Sequence, residues 1–189
     1  MILAWITSLD FALLDAIQRS CTSPTLDFLM PLITNAGNMG MIWALAGCAL
    51  LISPRYRKFG IGIFIALGLS LIIGSLLLKP LVGRVRPFDI NTGINLLIPA
   101  PTDLSFPSGH TMAAFAAATV LCFIPHKPLV KIIALAGATL IALSRLYLYV
   151  HYPSDVIGGM VLGVACGLVA WYITQKIVIQ RATLHNLHP

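Results

Sequence analysis

Charge is what this sequence has least of. Asp, Glu, Lys and Arg make up 10% of its 189 residues, where soluble domains carry roughly 25%. Only six residues are acidic. With 58% hydrophobic residues and a mean hydropathy of +0.92, this excludes a soluble globular domain, a disordered chain and a nucleic-acid binder. Cysteine is also scarce. The four present form no CxxC pair, so no disulfide framework is expected. Cys48, Cys122 and Cys166 sit inside apolar runs and read as small packing residues, and Cys21 lies near a helix end. Internal repeats and low-complexity segments are missing. The first residues lack a basic stretch and a small-residue cleavage site, so they are not read as a signal peptide.

What is present is a series of long apolar runs. Gly60–Leu78 and Val156–Gln175 carry no charge, and Leu104–Pro125 has only His110 as an ionisable group. Each is long enough for the ~20 residues that cross a bilayer. Phe28–Pro54 is too long for one plain span and is broken by Asn35, Gly37 and Asn38. It reads as a short helix, a turn at Asn35–Asn38, and a second helix ending near Ile52. Ile132–Ser144 reaches spanning length if Lys131 snorkels and the helix runs past Arg145 to about Leu148. The expected fold is all-α, a polytopic bundle of about six transmembrane helices. Residues 1–20 add an amphipathic interfacial helix with the stripe Ile6, Leu9, Leu13, Leu14 and Ile17, interrupted by Asp10, Asp15 and Arg19. Residues 21–178 form the transmembrane unit and 179–189 a cytoplasmic tail. His185 and His188 in that tail read as solvated rather than as a metal pair.

The basic residues give the orientation. Arg55, Arg57, Lys58, Lys127, Lys131, Lys176 and Arg181 fall on one side of the alternating spans, assigned to the cytoplasm. Lys79, Arg84, Arg86 and Arg145 fall on the other and run against the trend. Arg84 is read as an interfacial anchor. Lys79, Arg86 and Arg145 together require another explanation.

Polar residues in a membrane chain mark function by default. Here they gather in Lys79–Pro87, in Pro107–His110, and in Ser144, Arg145, His151 and Asp155, all on one face. Arg and Lys suit phosphate oxygens, Arg often as a two-pronged fork. Pro107 suits a first helical turn, Gly109 lets a ligand approach the backbone, Ser108 adds a hydroxyl, and free N–H groups at a helix start favour an anion. Asp155 follows His151 by four positions. A carboxylate on one ring nitrogen fixes the tautomer and frees the other nitrogen as a nucleophile or base. Two His and one Asp could also ligate a metal, but three neighbouring cations would repel it, so metal-free phosphoryl transfer is expected, with no cofactor.

Lys79-x6-Arg86-Pro87, Pro107-Ser108-Gly109-His110 and Ser144-Arg145-x5-His151-x3-Asp155 resemble the three signatures of the type 2 phosphatidic acid phosphatase (PAP2) family, matched in full and in order over about Leu26 to Ile177. The resemblance implies a six-helix, metal-free membrane phosphatase. His151 would attack phosphorus to form a phosphohistidine and Asp155 would orient it. His110 would protonate the leaving oxygen and then help water attack. Lys79, Arg86, Ser108, Gly109 and Arg145 would hold the phosphoryl oxygens. Vanadium haloperoxidases share this site architecture but are soluble. Size and compact loops are similar to bacterial undecaprenyl diphosphate phosphatases, which implies a multi-pass plasma-membrane enzyme of cell-wall biogenesis, its site on the extracytoplasmic face and a lipid diphosphate as its partner. Alternatives are a phosphatidylglycerophosphate or phosphatidate phosphatase, a lipid phosphotransferase and, more remotely, an anion transporter. The charge-free centres of Gly60–Leu78 and Val156–Gln175 count against a transport path. The sequence carries no signal of oligomeric state.

Overall fold

A computed structural model describes residues 2–187, with side chains over 5–180. Among the described residues the chain is helical, with no strand. Nine α-helices among the described residues run in order: α1 Ile2–Ser20, α2 Pro24–Ala36, α3 Met41–Ile52, α4 Arg57–Ser70, α5 Lys79–Val82, α6 Pro87–Ile90, α7 Gly109–Cys122, α8 Pro128–Tyr147 and α9 Pro153–Leu187. A π-helical stretch, Leu71–Leu78, joins α4 to α5 without a break.

Three helical stretches are long and apolar enough to cross a membrane: Arg57–Ile90, Pro128–Tyr147 and Pro153–Gln180. Among the described residues there are up to four, counting the bent pair of α2 and α3 as one span, against the six expected. α2 and α3 have 13 and 12 residues, so each rises only about 20 Å against a hydrocarbon core of about 30 Å. They form one bent pair, turned by 46° at the break. That break holds Met39 and Gly40 at φ 51° and 68°, which ends one helix and starts the next. The run expected as Leu104–Pro125 becomes helical only at Gly109, so α7 is shorter than a span. α8 takes the full length inferred for it by including Lys131 and Arg145. α9 continues through Leu187 rather than giving way to a loose tail, although the side chains of Arg181 and His185, and His188 altogether, lie outside the described residues.

The bundle has two distinct ends. The start of α4 meets the far part of α9, where Phe59 and Phe123 each stack on Trp171 with ring centres 5.1 and 4.9 Å apart. The ammonium of Lys58 lies 5.8 Å from the Trp171 ring centre. The opposite end carries Lys79, His110, Arg145 and the start of α9. Outward-facing Leu76, Leu77, Ile132, Ile133 and Val161 leave an apolar surface suited to lipid.

Packing at the centre depends on α7, whose alanine-rich middle (Ala114, Ala116, Ala117, Ala118) is buried. It lies against Gly159, Gly163 and Gly167 of α9. A Cβ at Gly159 would stand 2.7 Å from the Ser108 carbonyl oxygen, and one at Gly167 2.6 Å from that of Ala116. A Cβ at Gly163 would collide with the Met112 carbonyl. Glycine every fourth residue thus lets the two backbones touch.

α1 lies across the site end of α8 and α9. Its polar groups point into the protein: Asp10 is buried, Gln18 donates to the Tyr147 carbonyl at 2.7 Å, and Asp15 accepts from the Tyr149 hydroxyl at 2.7 Å. The expected apolar stripe divides. Leu14 is buried, while Leu9 and Leu13 face outward with Trp5.

Candidate active site

The three clusters of the sequence meet around one cavity of about 740 Å³. Lys79, Arg86, Gly109, His110, Arg145 and His151 line it, and Asp103 joins them. Local structure explains each position. The wider, i→i+5 turns of the π-helical stretch before Lys79 rotate the chain less per residue than an α-helix would, and Lys79 follows it facing the cavity. Gly83, at φ 64°, ends α5, and the chain then extends through Arg84 and Arg86 until Pro87 starts α6. Arg145 lies in the last turn of α8, and His151 sits in the short link before Pro153 starts α9.

Asp155, in the first turn of α9, reaches back so that its Oδ2 accepts from the Tyr152 N–H at 3.0 Å, the reciprocal half of a helix cap. The same oxygen accepts from the Ser105 hydroxyl at 2.5 Å and faces His151 Nδ1 at 3.5 Å. That last separation is longer than a hydrogen bond, as is common at catalytic pairs before substrate binds. On the other side of the ring, Arg86 Nη1 lies 3.3 Å from His151 Nε2. A guanidinium cannot accept, so Nε2 accepts and Nδ1 carries the proton. The Nε2 lone pair therefore faces the cavity cations. Burial lowers the His151 pKa well below the usual histidine value, and Arg86, Arg145 and Lys79 push it the same way. The ring is held neutral.

The cations are only partly matched. Lys79 pairs with Asp103, and Arg86 Nη2 donates to Asp103 Oδ1 at 2.7 Å. Arg86 also donates from Nε to the Asp103 carbonyl at 2.7 Å and from Nη1 to the Val150 carbonyl at 2.5 Å. Arg145 is 2% exposed, donates from Nη1 to Thr34 Oγ1 at 2.5 Å, and has no partner for Nε among the described residues. Three positive groups and one carboxylate in a buried corner leave a site that favours an anion. Burial works to raise the Asp103 pKa, but Lys79 and Arg86 outweigh it and hold the group at about 2.

His110 is half-buried at the cavity wall, with Nε2 2.8 Å from Asn38 Oδ1. The amide oxygen accepts, so this nitrogen carries the proton, which is directed at Asn38 on the cavity wall. Ser108 stands apart from the other expected ligands. It is fully buried and outside the cavity wall, its hydroxyl accepts from Thr111 Oγ1 at 3.0 Å, and its backbone N–H donates to the Asp155 carbonyl at 3.2 Å. Ser108 thereby ties the start of α7 to the start of α9.

Arg84 corrects the sequence reading outright. It is no interfacial anchor. Its Nη1 donates to Asp155 Oδ1 at 2.6 Å and its Nη2 to Asp10 Oδ2 at 2.7 Å. Asp103, Asp10, Thr34 and Asn38 are the participants that sequence reasoning missed. Asn38 was legible only as a helix break.

Residues 58–179 match the family model described as PAP2 superfamily. The chain is 35% identical over 139 residues to "Undecaprenyl-diphosphatase" of Sulfolobus acidocaldarius, covering 74% of this chain and 66% of that protein. It is 34% identical over 161 residues to "Phosphatidylglycerophosphatase B" of Bacillus subtilis, covering 79% and 70%. The chain thus spans about two thirds of the length of these curated relatives. The crystal structure of Aquifex aeolicus LpxE superimposes with a TM-score of 0.76 at 30% identity, covering 86% of this chain and 94% of that one.

Proposed function

The chain belongs to the PAP2 superfamily, and from that premise we propose that it is a membrane lipid phosphatase working through a phosphohistidine. The observation that carries this reading is the pairing of a neutral His151, its Nε2 turned to the cavity, with a corner of three cations that one carboxylate, Asp103, offsets among the described residues. The relatives cited above are named for phosphatase activity, which agrees with it.

His151 Nε2 attacks phosphorus, and the bond from phosphorus to the lipid-side oxygen breaks. His110 gives its proton to that oxygen. Water then attacks phosphorus and gives a proton to His110, the phosphorus–nitrogen bond breaks to return the lone pair to His151 Nε2, and orthophosphate leaves. Asp155 stabilises the imidazolium that forms on His151. Lys79, Arg86, Arg145 and the Gly109 backbone hold the phosphoryl oxygens, whose charge is spread in the transition state. Ser108 serves by positioning the start of α7. No step calls for a metal, and the cations disfavour one.

The lipid class follows from the rest of the cavity wall. Met39, Phe64, Leu67, Leu71 and Ala113 extend it as an apolar surface. A phosphate headgroup at the cations would leave its tail along these side chains, within the bilayer. We place the site on the extracytoplasmic face, because Arg57, Lys58 and Lys176 lie toward the opposite end of the bundle. Among lipid phosphates we favour a polyprenyl diphosphate such as undecaprenyl diphosphate, cleaved to the monophosphate. The test is phosphate release by purified protein in detergent with excess chelator, offered undecaprenyl diphosphate, phosphatidylglycerophosphate and phosphatidate in parallel. Release strongest from the polyprenyl diphosphate supports the full reading. Preference for another lipid overturns the substrate, and no release from any overturns the hydrolase.

A further inference from the structure

Asp155 has two oxygens and uses them differently. Oδ2 takes Ser105 and the Tyr152 N–H and faces His151, while Oδ1 takes Arg84 at 2.6 Å. Arg84 is itself divided. Its second prong reaches Asp10 on α1 at 2.7 Å, and its guanidinium carbon lies 3.9 Å from the centre of the Tyr152 ring. Asp10 is 3% exposed. It also accepts from the Ser154 N–H at 2.9 Å and the Ser154 hydroxyl at 2.5 Å, and that hydroxyl lies 2.7 Å from Arg84 Nη1. These groups form one connected set, with Asp10, Tyr152 and Asp155 buried and Arg84 partly exposed, linking α1, the Gly83–Arg86 strap and the first turn of α9. α1 lies outside the residues matched by the family model.

We infer that Asp10 and Arg84 are positioning residues for the reaction, a two-carboxylate clamp that fixes Asp155 so that one oxygen stays turned to His151. The inference rests on the phosphohistidine reading and deepens it. The physical reason is charge sharing. Arg84 between two carboxylates is balanced by both, so Asp155 keeps negative charge for the imidazolium that forms on His151. With Asp10 gone, Asp155 is the only carboxylate left to Arg84 and is drawn toward it, away from the ring. A guanidinium is needed because two prongs must point at two acids at once, which a single ammonium cannot do.

The experiment compares wild type, Asp10→Asn, Asp10→Ala, Arg84→Lys and His151→Ala for kcat, KM and thermal unfolding in the same detergent. Asp10→Asn retains an acceptor but loses the charge. The expected result is a fall in kcat of roughly 10- to 100-fold for Asp10→Ala, in line with small misplacements of reacting groups, with KM within about twofold. Asp10→Asn falls between that variant and wild type, and Arg84→Lys fails to restore kcat. Folded Asp10 variants with wild-type kcat overturn the inference, as does an Arg84→Lys variant of full activity. If Arg84→Lys does not fold, the two Asp10 variants decide. An inactive wild type, or a His151→Ala variant that turns over normally, would instead overturn the underlying reading.

Discussion

Asp103 Oδ1 accepts a hydrogen bond from Arg86 Nη2 at 2.7 Å, and the same carboxylate pairs with Lys79. The side chain is 56% exposed, on the cavity side of two cations proposed to take phosphate. A resident carboxylate thus stands where a substrate oxygen would bind. Asp103→Asn removes its charge. Orthophosphate is expected to inhibit this variant at about one-tenth the concentration needed for wild type, a difference worth about 1.4 kcal/mol. An unchanged inhibition curve would mean that Asp103 does not compete. Because Asp103 is held at about 2, its pairing stabilises the fold above the ordinary carboxylate pKa near 4 and is lost as pH falls toward 2. Asp103 itself therefore stays charged between about pH 5 and 8, so the ratio of inhibition in the variant to that in wild type, compared at each pH against the same phosphate, should not change.

His151 gives the second expectation. Burial, then Arg86, Arg145 and Lys79, lower its pKa. For a base, a lowered pKa means that the neutral form persists to lower pH. In the free enzyme, nitrogen NMR should find this ring neutral with its proton on Nδ1 at pH 6.5, where an unperturbed imidazole is half protonated. A half-charged ring at that pH, or a proton on Nε2, would contradict the tautomer inferred from Arg86.

The contact of α7 with α9 gives a third. Gly163→Ala inserts a Cβ against the Met112 carbonyl, a backbone atom that cannot turn aside. Overpacking of this kind costs about 1–3 kcal/mol. Thermal unfolding should move down, and activity should fall with it, because the same contact aligns Ser108 with Asp155. Unchanged unfolding would show that the helices separate freely.

Thr34 is the sole acceptor described for Arg145 Nη1. Thr34→Val leaves a buried charged group without it, a loss of about 1–3 kcal/mol. Added orthophosphate should recover more stability in this variant than in wild type, since a bound anion supplies the missing partner. Equal phosphate stabilisation of both proteins would separate Arg145 from anion binding.

Much of this site could be read in the sequence because polar groups are conspicuous in apolar runs. Lys79, Arg86, His110, Arg145 and His151 stood out for that reason, and the structure gathers them on one cavity. Asp103 lay in a polar loop, where a lone aspartate resembles solvated chain. Asp10 and Arg84 are 74 positions apart, and nothing local to either announces the other. The break at Asn35–Asn38 was legible, but the two helices were counted as separate spans. In the structure they form one bent pair, each half shorter than the ~20 residues of a straight span. The four-residue spacing of Gly159, Gly163 and Gly167 was present in the sequence, and its partner helix became evident only from packing.

The most direct test is to quench the enzyme during turnover of a lipid labelled in its terminal phosphate and to look for acid-labile label on the protein. Label on His151 of the wild type, absent in a folded His151→Ala variant that also releases no phosphate, is the expected result. Continued phosphate release by His151→Ala would contradict the role given to this residue and the mechanism built on it.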